Sequence, residues 1–118
     1  MTDSDDRILD MEVIEALRAL EAEGAPGLFD ELVELFLSDT PPRMKSLAEA
    51  TAAGDMKAVE FNAHSLKSSC GNLGATILVD LFREIERLGR EEELDGVSVL
   101  VNRSAEEFDR VQVALSAA

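Results

Sequence analysis

The sequence has no tryptophan and no tyrosine, and its only aromatic residues are five phenylalanines. Single-stranded nucleic acids are usually bound by stacking bases on aromatic side chains, so this kind of binding is disfavoured. Basic residues are also scarce, because 11 lysines and arginines stand against 25 acids and give a net charge of −14 with histidine neutral. Such a surface repels the phosphates of nucleic acids and of anionic membranes. We therefore expect no nucleic-acid partner and no membrane partner.

Cysteine and histidine occur once each, as Cys70 and His64. A single cysteine cannot form an intrachain disulfide, which fits a reducing compartment. A single histidine excludes zinc sites built from several histidines and cysteines, and also the paired Glu-x-x-His motifs of di-iron bundles. No apolar run reaches the ~20 residues that cross a bilayer, and the acidic start lacks a signal-peptide stretch. The sequence thus predicts a cytoplasmic protein with no metal and no cofactor of its own.

The sequence does have helical periodicity over almost its whole length. With 118 residues, of which 46% are hydrophobic, it can form one domain with a mostly aliphatic core. We expect residues 1–8 to be a flexible, acidic segment and residues 9–118 to form the domain. Asp10 and Asp55 are candidate N-caps of the first and third helices, and Gly74 is a candidate C-cap of the third.

Apolar residues recur at helical spacing in five segments. They are Met11, Ile14, Leu17 and Leu20 in the first; Leu28, Leu32, Leu35 and Phe36, resumed by Met44 and Leu47, in the second; Met56, Val59, Ala63, Leu66, Cys70 and Leu73 in the third; Leu78, Leu81, Phe82, Ile85 and Leu88 in the fourth; and Val97, Leu100, Val101, Phe108, Val111 and Leu115 in the fifth. No segment alternates like a strand. The pattern predicts an all-α fold, an antiparallel up-and-down four-helix bundle with a short N-terminal capping helix.

One interruption of this pattern has two interpretations. Thr40 could cap a new helix, with Pro41 in its first turn where a missing N–H has no cost. Alternatively the second helix continues through Pro41 and Pro42 with a kink. Both interpretations end the helix at Gly54.

His64 lies away from the apolar seam of the third helix. Its neighbours on the same face are Glu60, Lys67, Ser68 and Gly71, all of them polar or very small. An isolated histidine in such a place is most often structural or merely solvated. Here Lys67 places an ammonium within reach of the imidazole, and the small residues leave the ring above a flat surface that another protein can approach. Imidazole is a good nucleophile near neutral pH, so the arrangement favours a phosphoryl relay.

The sequence lacks the motifs of other catalytic and nucleotide-binding sites. There is no G-x-S-x-G, no P-loop and no kinase-type glycine loop, so neither a serine hydrolase nor an ATP site is expected. Cys70 falls on the buried seam and is most simply a small core residue.

The stretch from Ala63 to Ala75, AHSLKSSCGNLGA, resembles the active-site helix of histidine-containing phosphotransfer (HPt) domains, whose pattern is roughly A-H-x-L-K-G-S-x-x-x-L-G-A. The resemblance extends from about residue 8 to 116. It implies that His64 carries the phosphoryl group on its outer nitrogen and that Lys67 neutralises it. Ser68 and Gly71 would supply the flat approach, although Ser68 stands where the family often has glycine.

The resemblance further implies a phosphocarrier without kinase activity, which accepts a phosphoryl group from a receiver-domain aspartate and passes it to another receiver. The partners would belong to a hybrid sensor kinase and a response regulator, and the receiver would supply the magnesium. Leu37, Phe61 and, more weakly, Met44 are candidate docking residues, with ordinary core or edge packing as an equal alternative. The acidic start and the finished last helix favour a free-standing protein, and a bundle whose apolar seams are all satisfied internally favours a monomer. The rival function, left open by Ser68, is a non-phosphorylated adaptor or inhibitor that binds a kinase or receiver.

Overall fold

The computed structural model describes residues 8–118, in which all the regular structure is helical. In chain order the five main helices are α1 (Met11–Ala22), α2 (Leu28–Ala53), α3 (Met56–Asn72), α4 (Thr76–Arg90) and α5 (Val97–Ala117). Helices α2 to α5 each pack against the next, α5 returns to α2, and α1 packs on α2. The predicted four-helix bundle with a capping helix is confirmed. Of the segment expected to be flexible, residues 1–7 lie outside the described residues.

Both predicted aspartate caps bind a backbone N–H group in the first turn of the helix that follows. The Asp10 carboxylate accepts a hydrogen bond from the backbone N–H of Glu12 at 3.0 Å, and the Asp55 carboxylate accepts one from Ala58 at 3.2 Å. These bonds satisfy N–H groups that have no partner inside the first turn of a helix. They fix where α1 and α3 begin.

Helix α2 is continuous from Leu28 to Ala53 and contains Pro41 and Pro42. The interpretation in which Thr40 caps a new helix is therefore wrong. The Thr40 side chain is buried, and its hydroxyl makes no hydrogen bond within the described residues. Phe36, Thr40 and Leu47 stay in phase across the prolines and are all buried. Burial of this stripe outweighs an interior proline's cost, which is about 3 kcal/mol or more.

The predicted seam of α3 is the centre of the core. Val59, Ala63, Leu66 and Cys70 have no exposed surface. Burial raises the pKa of the Cys70 thiol to about 12, so the group is an un-ionised core side chain and not a nucleophile.

Three residues of the predicted apolar stripes are exposed instead of buried. Met11 and Leu20 are 38% and 48% exposed because α1 covers the bundle from one side and leaves the ends of its own stripe uncovered. Leu35 is 57% exposed because it lies at the edge of the contact between α2 and α3. For these three positions, helical spacing alone did not distinguish the core from its rim.

The backbones of helices α3 and α4 come into close contact at Gly89. A Cβ atom built on Gly89 would lie 2.8 Å from the backbone nitrogen of Glu60 and 3.0 Å from its Cα. Real Cβ atoms do not come this close to backbone, so only glycine allows the two helices to cross here. Further along the same pair, a Cβ atom on Gly71 would lie 3.9 Å from Val79, at ordinary contact distance.

Replacing Gly89 with alanine is therefore expected to lower the free energy of unfolding by about 1–3 kcal/mol, since the added methyl group forces two backbones apart. Urea unfolding followed by circular dichroism measures this change.

The matched control is Gly71→Ala, which adds the same methyl group to α3 at a place with room for it. Alanine is favoured over glycine in a helix by roughly 1 kcal/mol, so this variant should be as stable as the parent or more so. Equal destabilisation by the two substitutions would contradict the close approach at Gly89.

Candidate functional site

His64 lies in the middle of α3, with its imidazole turned towards α4. Its Nδ1 atom is 2.9 Å from the Oε2 atom of Glu86, and its side chain is 61% exposed. An ionised carboxylate only accepts hydrogen bonds, so Nδ1 carries the hydrogen and donates it. In the neutral form of the ring the other nitrogen, Nε2, then keeps its lone pair. In that form the site offers a nucleophilic nitrogen on an exposed ring.

Glu86 binds a second donor at the same time. Its Oε1 atom is 2.7 Å from Nζ of Lys67, whose side chain is 26% exposed. Each carboxylate oxygen therefore has its own partner, and Lys67 and His64 are joined through Glu86 although they lie on one helix.

The charge state of Glu86 results from opposing effects. Burial would raise the pKa of this carboxyl, but hydrogen bonds from Lys67 and His64 and the nearby positive charge outweigh burial, so the pKa lies below its usual value. Only 8% of the residue is exposed. An ionised carboxylate is held inside the edge of the bundle because both of its oxygens are paired.

The sequence produces this arrangement through the register of two antiparallel helices. The tight crossing of Gly89 and Glu60 fixes the register at one end of the contact, and Gly71 lies beside Val79 at the other end. His64 lies between Glu60 and Gly71 on α3, and so it meets the segment of α4 that bears a carboxylate.

Most of the site residues predicted from the sequence share one exposed face of α3. Phe61, His64, Ser68 and Gly71 are all exposed, and their spacing of three and four residues places them along one side of the helix. Phe61 is the most prominent, with 67% of its surface exposed. These positions agree with a flat approach to the imidazole and with a partner-docking role for Phe61, which stays a prediction.

Leu37 lies on α2 and not on this face of α3, and its docking role stays a prediction. It is half-buried and packs against the core. The α2 side chains that meet the outer part of α3 include Leu35 and Asp39, which line a groove with Ser69 and Asn72. Leu37 and Leu35 both line a shallow pocket on α2 with Glu34 and Ser38.

Glu86 is the functional residue that sequence reasoning missed. The apolar stripe of α4 contains Phe82, and Glu86 lies one turn after it, in phase with the buried side of the helix. A charged side chain in such a position needs a buried partner. This requirement indicates that Glu86 has a buried partner. The spacing of residues within α4 does not show which residue that partner is.

The described residues show two further negative findings. Within residues 8–118 no cluster of three or more histidine, cysteine or acidic side chains is arranged to hold a metal ion. No helix in the same range is both long enough and apolar enough to cross a membrane.

Comparison with known proteins identifies the family of the chain. The family model of the Hpt domain matches residues 31–114. The chain belongs to the Hpt domain family. It is also similar to the crystal structure of histidine-containing phosphotransfer protein B (HptB) from Pseudomonas aeruginosa PAO1, with 30% sequence identity and a TM-score of 0.82, over 93% of this chain and 92% of that one. A search of curated proteins found no match.

Membership of the Hpt family confirms the resemblance found in the sequence. The function of the chain is phosphotransfer in a phosphorelay, and the alternative of a non-phosphorylated adaptor is not favoured. Hpt domains are phosphocarrier modules and not kinases. As a class, HPt proteins interact with receiver domains.

The lowered pKa of Glu86 predicts how stability depends on pH. Ionised Glu86 stabilises the fold above the ordinary pKa of 4.5, and this contribution is lost as the pH falls through the lowered value. Glu86→Gln cannot titrate. We expect the variant to be less stable than the parent at neutral pH and the difference to shrink as the pH falls below that ordinary value, measured by urea unfolding from about pH 7 to about pH 3.

Glu106→Gln, at an exposed position of α5, removes the same charge without a buried partner and serves as the control. A difference between parent and Glu86→Gln that is the same at every pH would mean that the folded state does not hold Glu86 ionised.

Proposed function

We propose that His64 is the residue that carries the phosphoryl group, on its Nε2 atom. The observation that supports this most directly is the bond from Nδ1 to Glu86, which leaves Nε2 as the free nitrogen of an exposed ring. The imidazole needs no base to become a nucleophile, because the hydrogen is already on the other nitrogen.

Lys67 is proposed to neutralise the bound phosphoryl group. Its ammonium lies one turn after His64 and is only partly buried, held by Glu86 in the unphosphorylated protein. A phosphoryl group on Nε2 brings new negative charge within reach of this ammonium, and a charge-assisted hydrogen bond to it is among the stronger polar contacts in proteins. Catalysis then consists of positioning and charge stabilisation.

The partners are proposed to be receiver domains of a hybrid sensor kinase and of a response regulator, which the protein meets in the cytoplasm as a monomer. The receiver supplies the aspartate and the magnesium ion, and the HPt chain brings no cofactor and no enzymatic activity of its own. The chemistry of the site supports this division, since an imidazole and an ammonium suffice to hold a phosphoryl group in transit.

The exposed face of α3 is the proposed docking surface. Residues 61–79 contain no acidic side chain, although the chain has 25 acids. Phe61, three residues before His64 on α3, and Leu35, in the groove between α2 and α3, provide exposed apolar area. A receiver that carries a negatively charged aspartyl phosphate site would meet mostly apolar and neutral groups here, with Lys67 one turn after His64 and Glu60 one turn before it.

The first test of this proposal is transfer from a labelled phosphorylated receiver. We expect acid-labile, base-stable label on the parent protein and none on His64→Gln. Lys67→Ala should be labelled about tenfold more slowly, the equivalent of ~1.4 kcal/mol, because a charged contact to the phosphoryl group is lost. Rates of label transfer measure both effects.

Lys57→Ala is the control for Lys67, since it removes the same side chain two turns before His64 on the same helix. Full labelling of His64→Gln would show that another residue carries the phosphoryl group.

A second test concerns docking. Truncating Phe61 or Leu35 to alanine should weaken receiver binding about tenfold, because exposed apolar anchors contribute most to such contacts. Titration calorimetry or fluorescence anisotropy measures the change. Val113→Ala, which truncates a side chain that is 72% exposed on α5, should leave binding unchanged. Equal effects of all three substitutions would place the interface elsewhere.

A further inference from the structure

A groove between α2 and α3 contains a buried hydroxyl group that the fold itself does not use. Its polar lining consists of Asp39 and Thr40 of α2 and Ser69 and Asn72 of α3, and its other lining side chains are apolar. Its volume is about 140 Å³, which has room for one side chain but not for a helix. The polar groups and the position of the groove together indicate what binds there.

Thr40 is the residue that sets this groove apart. Its side chain is 1% exposed, and its Oγ1 atom has no hydrogen-bond partner among residues 8–118. Thr51, further along α2, is also buried but donates its hydroxyl hydrogen to the backbone oxygen of Leu47 at 2.8 Å. A buried polar group without a partner lowers stability, so nearly all such groups in folded proteins are paired. Thr40 therefore offers a hydrogen-bonding group to something outside the fold.

The charge of the groove indicates the chemistry of its occupant. The Asp39 side chain is exposed and makes no ion pair or hydrogen bond within the described part of the chain. Together with the Thr40 hydroxyl it presents oxygen atoms beside apolar side chains such as Leu35. Lysine and arginine have an apolar stem and a positively charged end with several N–H donors. Either side chain can lay its stem on the apolar lining and pair its charged end with the Asp39 carboxylate and the Thr40 hydroxyl.

The position of the groove indicates which molecule brings this side chain. Asn72 follows His64 by about two turns on α3, which is about 12 Å along the helix axis. A protein interface of ordinary size covers about 800 Å² of each partner, equivalent to a circle of about 16 Å radius. A receiver domain that docks over His64 therefore also covers the groove. A chain with a net charge of −14 favours partners with basic surface groups.

We propose that the groove between α2 and α3 is a subsite that binds a lysine or arginine side chain of the docked receiver domain, through Asp39 and Thr40. The inference rests on the proposed function, since the receiver is the partner proposed there. It extends that function by assigning a specificity contact away from the imidazole, where a receiver is selected without any change to the phosphoryl-transfer chemistry. Thr40 is retained for this contact although its hydroxyl lowers the stability of the free protein.

The first test measures the contribution of the Asp39 charge to receiver binding. The probe is the unphosphorylated form of a receiver domain that labels the parent protein, so that no transfer accompanies binding, and fluorescence anisotropy gives the dissociation constant. Asp39→Asn should weaken binding about tenfold at about 50 mM salt, because a charge-assisted contact is lost. At about 1 M salt, where the charges are screened, the loss should shrink to about twofold.

Asp30→Asn is the matched control, since Asp30 is an exposed acid about two and a half turns earlier on α2 and so faces the opposite way. It should leave receiver binding almost unchanged. A loss for Asp39→Asn that is the same at both salt concentrations would indicate an uncharged occupant and would overturn the inference, as would equal losses for the two variants.

The second test uses Thr40→Val, which keeps the shape of the side chain and removes the hydroxyl. The midpoint of urea unfolding should rise by about 0.5 M, because an unpaired buried group is removed, while receiver binding weakens roughly fivefold. Thr51→Val is the control, since it removes a hydroxyl that is paired within α2, and it should not raise the midpoint or change binding. A higher midpoint with unchanged binding, or a lower midpoint, would overturn the role of Thr40 in the subsite.

These outcomes are separate from those of the proposed function. Unchanged receiver binding by Asp39→Asn and Thr40→Val would overturn the subsite while leaving His64 as the phosphorylated residue. Absence of label on the parent protein, or equal labelling of His64→Gln, would instead contradict the proposed function.

Discussion

The close contact between α3 and α4 is the constraint on which the site depends. Gly89 lets the backbone of α4 come against that of Glu60, and this fixes how far the two helices slide along one another. A shift of one residue would rotate Glu86 away from His64 and leave its carboxylate buried without donors. The position of the imidazole relative to Glu86 is therefore set by a glycine less than one turn after Glu86 on α4, through rigid packing and not through any direct contact between Gly89 and His64.

The same contact explains why an acid is tolerated at the edge of the core. A buried carboxylate is costly unless its oxygens are paired, and here an imidazole and an ammonium pair one oxygen each. The network is small and fully satisfied, so it orders both functional side chains before any partner arrives. The arrangement combines stability and proposed function in one group, since the two donors that pair Glu86 belong to the residues proposed to handle the phosphoryl group.

The residues that could be predicted from the sequence are those whose position depends on one helix. The α3 seam from Val59 to Cys70 follows directly from its spacing, and His64 and Lys67 stand out against it. Glu86 could not be assigned a role, because its partner is set by the register between helices, which no periodicity within α4 contains. Leu35 was likewise placed in the core by its spacing, and only the packing of α2 against α3 shows it at the rim.

The absence of acids between residues 61 and 79 has a consequence at distances well beyond contact. A molecule with a net charge of −14 is surrounded by a negative potential, and that potential is weakest where carboxylates are missing. Residues 61–79, which include His64, are therefore a less negative part of the chain than the rest. A phosphorylated receiver, the partner proposed above, would be repelled less by this part than by the acidic remainder, within roughly the 8–10 Å over which salt leaves charges unscreened.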